Sequence, residues 1–208
     1  QTGINPDMIP DTWTQLFKGP GMVALADPRF GTTGGHLVAM ARGLPAMQWH
    51  EVLDACSDVQ DVLVVPGGNA GTVTMVEHGA VVFGCTDYDD VIAAQARGAK
   101  VDMKVLRHGD GPGEGPMLTP NAVGLVAGHG DNAAAERLVD WLLSDRAATL
   151  LAKSTSRNMP LQPSVQAVFP ELVVDDPLTV DWTAAALAHD DVVEVVLQAL
   201  RRQQSTAH

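Results

Sequence analysis

One pattern constrains this chain more than any other, and it recurs through the first half. An apolar run meets a corner rich in Gly, Thr, Asn or Asp, and apolar residues then return at helical spacing. "GMVALADP" leads into "TGGHLVAMARG", "DVLVVP" into "GGNAGTVTMVEHG", and "AVVFGCT" into "DYDDVIAAQARG". Short buried strands alternating with helices need crossover connections, and these build a mainly parallel sheet covered by helices. The expected fold class is α/β, with helices closing at Gly43, Gly79 and Gly98.

The rest of the chain frames that unit. Asp11 is placed to cap a short helix carrying Trp13, Leu16 and Phe17 on one side. Met47, Trp49, Val52, Leu53 and Cys56 give residues 47–58 a helical period. Residues 108–117 are too rich in Gly and Pro for regular structure, and "LTPNAVGLVAG" reads as a further strand. Residues 132–155 read as a pair of helices, the second capped at Ser144-Asp145. Pro160, Pro163, Pro170 and Pro177 break up the segment after them. A last amphipathic helix, about 181–202, is expected to end on Arg201 and Arg202, against its dipole.

Composition narrows the class of partner. With 46% apolar and 18% charged residues, the 208-residue chain can build one large domain or two small lobes and does not read as disordered. A net charge of -12 and a pI near 4.7 leave no basic surface for nucleic acid or anionic membrane. No apolar run is long enough to span a bilayer, so a membrane-embedded protein is not expected. The chain opens on Gln and shows no signal peptide, which suggests a processed or cut N-terminus. Cys56 and Cys85 are compatible with a disulfide or with two buried thiols.

In an open α/β sheet, ligands bind beyond the carboxyl ends of the strands. Three polar corners meet that description: Gly31-Thr32-Thr33-Gly34, Gly67-Gly68-Asn69, and Thr86-Asp87-Tyr88-Asp89-Asp90. The first two have the chemistry of an oxyanion cradle, in which glycines allow close approach and Thr hydroxyls and the Asn amide add donors to free backbone N–H groups. The same residues would serve as helix caps. In the third corner, a phenol among carboxylates is a hard oxygen set suited to ferric iron or another hard cation. There too the plain alternative stands: Asp87 as a cap, Asp89 and Asp90 favouring the helix dipole, and Tyr88 packed at the rim. His36, His50, His78, His108 and His129 show no metal-ligand spacing, and no nucleophile elbow is present.

These stretches carry a resemblance. "IPDTWTQLFKGPGMVALADPRFGTTGGHL", "GGNAGTVTMVEHGAVVFGCTDYDD" and "TPNAVGLVAGHGDNAAAERLVDWLLSDRAATLLAKSTSRNMPLQP" resemble bacterial periplasmic solute-binding proteins of the ferric-iron-binding type. The likeness runs to about Leu172. It implies a periplasmic-binding-protein-like α/β lobe with C-terminal helices, no catalytic residues, and capture of ferric iron or an oxyanion such as phosphate or phosphonate. The family's anion-binding turn falls on Thr32, Thr33 and Gly34, and its anion-contacting asparagine on Asn69. The first of its paired iron-binding tyrosines falls on Tyr88, while the second position is Asp89. A Tyr88–Asp89 metal site with Fe3+ and a synergistic anion is therefore one implication, and an anion alone is another.

The resemblance also implies an ABC permease as partner, a periplasmic or extracellular location, and hinge closure of two lobes on the solute. Residues 1–128 would be a second-lobe ligand-binding region and 129–208 a C-terminal helical region. Most of a first lobe is expected to be missing. The helices over 131–155 would normally pack on it, and the final helix on the second lobe. Leu138, Trp141, Leu142, Leu150 and Leu151 would then be exposed, which implies self-association or a partner lobe. Readings outside the family are a metal-assisted hydrolase using the Thr86–Asp90 corner and a degenerate module that binds no solute.

Overall fold

The structure is a computed structural model, and it describes residues 4–19, 22–58, 62–65, 67–128 and 132–206. The chain divides into two compact units, one of residues 1–118 with 176–208 and one of residues 119–175. His129 and the expected helix start at 131 lie outside the described residues.

The first unit is the α/β one. Its sheet has three parallel strands in the order β2-β1-β3: β1 Val23–Ala26, β2 Val62–Val65 and β3 Phe83–Gly84. Val23 stands beside Val62 on one side and Phe83 on the other, and Ala26 reaches Val65. All residues of β1 are buried, as a central strand covered on both faces requires, whereas β2 at the edge mixes buried and exposed positions. Helix α1 (Trp13–Lys18) precedes β1, α2 (Gly31–Gly43) and α3 (Ala46–Asp58) lie between β1 and β2, α4 (Gly68–Glu77) between β2 and β3, and α5 (Tyr88–Ala96) after β3.

A long C-terminal helix, α9 (Trp182–Thr206), returns to pack on α2 and α3. The core gathers Phe17, Leu25, Leu37, Met40, Val52, Cys56 and Val196, drawn from α1, β1, α2, α3 and α9. Each such side chain contributes about 1.5–3 kcal/mol when fully buried. Because α9 runs on to Thr206, Arg201 and Arg202 do not end it and leave no basic residue in its last turn. The expected end at 202 is corrected accordingly.

Two details correct or explain local expectations. Thr12, not Asp11, caps α1: its hydroxyl accepts from Gln15 N at 3.2 Å, while Gln15 Oε1 accepts from Thr12 N at 3.3 Å and Asp11 N at 2.8 Å. The Asp11 carboxylate pairs instead with Lys104 at 2.7 Å. The Gly-rich loop after Arg107 is irregular as expected, and it is held at several points. Arg107 Nη2 meets Asp176 Oδ2 at 3.2 Å and Gly113 N donates to Asp176 Oδ1 at 2.6 Å. The Gly113 N–H, with Arg107 beside it, holds the Asp176 carboxyl below the usual range. His108, buried in the same loop, bonds through Nδ1 to Gly115 O at 2.6 Å and through Nε2 to His36 Nε2 at 2.5 Å. Trp13 stands edge-on to the His36 ring, with centroids 4.4 Å apart.

The second unit contains α6 (Ala133–Leu142), α7 (Asp145–Lys153) and α8 (Pro163–Gln166), followed by a 3-10 turn at Pro170–Leu172. Asn132 Oδ1 caps α6 by accepting from Ala134 N at 3.0 Å, and Ser144 Oγ caps α7 by accepting from Ala147 N at 3.3 Å. Ala147, Ala148, Ala152 and Val165 are buried, whereas Leu138, Trp141, Leu142, Leu150 and Leu151 are exposed. The stretch from 118 to 128, expected as a strand, is irregular, and Val123, Leu125 and Val126 are exposed. Apolar sequence becomes a strand only where an edge accepts its backbone bonds, and no strand among the described residues pairs with it.

Candidate functional site

The three strands end on the three polar corners. After β1, the Asp27 carboxylate accepts from Arg29 N at 3.0 Å and from Arg29 Nε at 2.9 Å, while Asp27 N donates to Val65 O at 3.3 Å. The guanidinium bonds hold the Asp27 carboxyl below its usual range against the opposing effect of burial. This clamp fixes the turn that launches α2. Gly31 opens α2 at φ 65° and Gly68 opens α4 at φ 68°, both with open space beside the α-carbon. Those glycines are there for the left-handed backbone. Gly34 has a different reason: a Cβ would lie 2.3 Å from Pro28 O and 3.1 Å from His189 Nε2. Its missing side chain lets α2 pack against its own entry turn.

The side chains at these corners meet. Thr32 Oγ1 donates to Asp87 Oδ2 at 2.8 Å, and Thr33 Oγ1 donates to Asn69 Oδ1 at 3.2 Å. The Asn69 amide donates to Thr32 Oγ1 at 2.6 Å and to Asp87 Oδ2 at 2.8 Å. Beneath them the buried Thr72 hydroxyl lies 2.8 Å from Asn69 O and 2.9 Å from Cys85 O, joining α4 to the end of β3. Thr86 Oγ1 reaches Asn69 O and Asp90 Oδ2, each at 3.2 Å. One connected polar network therefore spans all three corners.

None of α2, α4 and α5 has a side-chain cap bond, although Thr32, Thr33, Asn69 and Asp87 are all types that cap. These residues turn toward one another instead. The amino ends of three helices thus open onto one place, where their partial positive charge adds.

The acidic corner forms the rim. Ligand oxygens of Asp87, Asp89 and Asp90 lie within 4.8 Å of one another. Partial burial raises the Asp90 pKa, with the Asp89 and Asp87 charges adding to the rise and a Thr86 bond opposing it. Tyr88 and Asp89 are exposed, and no bond joins either side chain to the network. Thr32, Thr33 and Asn69 are thus brought together, Gly34 lies instead against Pro28 O and His189, and Tyr88 and Asp89 are exposed outside the network. Asp87 is the member that the sequence placed in the third corner only as a helix cap. Its one signal was position, at the start of the helix after β3, matching Thr32 after β1 and Asn69 after β2.

The family model of bacterial extracellular solute-binding proteins matches residues 2–185, most of the chain. No curated protein and no solved structure matches it.

Proposed function

The chain belongs to the bacterial extracellular solute-binding protein family, and from that premise we propose that its three-corner site captures a solute for an ABC permease. The family is one of binding proteins, typically not enzymes, and works outside the cytoplasm. No described helix is long and apolar enough to cross a membrane.

The observation that carries the proposal is the convergence of Thr32, Thr33, Asn69 and Asp87 from three separate corners onto one network at the carboxyl ends of the strands. Two kinds of solute contact are available there. Thr32, Thr33 and Asn69, backed by helix amino ends, are the donor side, and Tyr88 with Asp89 is the hard-oxygen side. Ferric iron with an accompanying anion uses both sides, and an oxyanion such as phosphate or phosphonate uses the first alone. Closure of a hinge over the bound solute, read by the permease, completes the cycle. The exposed stripe of Leu138, Trp141, Leu142, Leu150 and Leu151 is covered by a partner lobe or by a second copy.

Thermal unfolding against ferric citrate, phosphate, a phosphonate, carbonate and sulfate tests the reading. A solute at a hundred times its dissociation constant adds about 2.7 kcal/mol, roughly 2–4 °C for a chain of this size. The expected result is a shift with one solute class that disappears in Thr33→Ala and Asn69→Ala. A shift that survives both substitutions places the solute elsewhere.

A further inference from the structure

A count of donors in the network decides what it can still bind. The amide of Asn69 has two N–H groups, and they go to Thr32 Oγ1 and Asp87 Oδ2. Thr32 has one hydroxyl proton, donated to Asp87 Oδ2, and Thr33 has one, donated to Asn69 Oδ1. Every side-chain donor of the cradle is therefore satisfied within the chain. The group that accepts two of these bonds on a single oxygen is a carboxylate, from a residue 55 positions away from Thr32 and 18 from Asn69. An arriving phosphate or sulfate would have to displace Asp87 or sit against its charge, with Asp90 and Asp89 close by. Like charges at such range repel.

Resting on the site assignment above, we propose that Asp87 is the resident anion of the cradle and its specificity-determining residue. It fills the place of an oxyanion on Thr32 and Asn69. Of the two solute classes proposed above, this narrows the cargo to the one that presents positive charge to the Asp87 carboxylate and leaves out a free inorganic oxyanion alone. Asp87 also closes the three corners into one preformed site, so the cradle needs no second small molecule to be complete.

The test uses the full chain and inorganic phosphate and sulfate as probes, with thermal unfolding and titration calorimetry as readouts. Asp87→Ala removes the carboxylate, and Asp87→Ser is the second variant, keeping a small polar group for Thr32 should the alanine protein fail to fold. Circular dichroism matching the parent identifies a folded variant. The expected result is no response of the parent protein to either anion, and phosphate binding gained by at least about tenfold in a folded variant, as relief of about 1.4 kcal/mol of repulsion requires. A parent protein that binds phosphate as tightly as the variants overturns the proposal, and so do folded variants that gain nothing. The site assignment fails separately: it falls if a response of the parent to ferric citrate survives Asn69→Ala, whatever phosphate does.

Discussion

His36 and His108 face each other through their Nε2 atoms at 2.5 Å. His108 bonds through Nδ1 to Gly115 O, and a carbonyl only accepts, so that nitrogen carries the proton and Nε2 is left to accept from His36. The pair holds the loop after Arg107 to α2, in the turn that follows Thr32 and Thr33. The His108 ring is therefore neutral. Burial, with the facing His108 adding to it, pushes the His36 pKa down to about 3, and burial lowers that of His108.

Stability therefore depends on pH with a definite sign. The unfolded chain takes up these protons near the ordinary histidine value of about 6.5, before the folded chain does. The contribution is complete above that value and is lost as pH falls from there toward 3. Between pH 7.5 and 5 the loss should be about 1–2 kcal/mol, after allowing for the partial exposure of His36. Urea midpoints at the two pH values measure it, and His36→Gln should flatten the difference. A midpoint that does not move in the parent protein contradicts the assignment.

The neighbouring glycines of α2 should respond oppositely to the same substitution. Gly34→Ala drives a methyl to 2.3 Å from Pro28 O, a backbone atom that cannot step aside, and should cost about 1–3 kcal/mol. Gly35→Ala meets nothing within 4 Å, and should stabilise the helix by about 0.5–1 kcal/mol. Denaturant unfolding of both proteins checks the pair, and equal effects would show that the close approach of Pro28 is not real.

Asn69→Asp replaces an amide that donates to Asp87 at 2.8 Å with a second carboxylate. At pH 7.5 the variant should lose about 1–3 kcal/mol through repulsion and lost bonds. Two facing carboxylates raise each other's pKa, so the folded variant takes up a proton first on acidification. The deficit relative to the parent should then narrow toward pH 5. A deficit that stays constant with pH would mean the two side chains are not in contact.

The stripe on α6 and α7 gives a prediction about association. Leu138, Trp141, Leu150 and Leu151 are between 45% and 56% exposed, too many large apolar groups on two short helices to stay solvated at high concentration. Light scattering should find species larger than a monomer. Leu150→Glu with Leu151→Glu should return a monomer with an unchanged urea midpoint. A parent protein that remains monomeric at high concentration rules out self-association through this face.

Much of the first unit was legible in the sequence because its information is local. A four-residue apolar run such as Val23–Ala26, a glycine that must take positive φ such as Gly31 or Gly68, and a 3.6-residue period each speak for themselves. What was not legible depended on distant partners. Asp11 lost the cap of α1 because Lys104 drew off its carboxylate, while Gln15 completed a capping box with Thr12. The apolar run at 118–128 had the right composition for a strand but no edge to join. Asp87 looked like a helix cap, because nothing local announces that Thr32 will take its carboxylate. Gly34 looked like part of a ligand turn, and the carbonyl behind it became visible only in three dimensions.

The place of α9 in the core has a consequence for how the chain comes into being. A ribosome delivers residues in order, yet the unit that contains α1 and β1 is finished by α9, after the whole of the second unit has emerged. Until Val196, Ala199 and Leu200 arrive, Phe17, Leu37 and Met40 lack part of the layer that buries them. At synthesis rates of about 5–20 residues per second, that half-built core waits roughly 10–30 seconds for its closing piece. That core is therefore held open until α9 has been made, which is the state in which a polypeptide can still be threaded through a narrow pore.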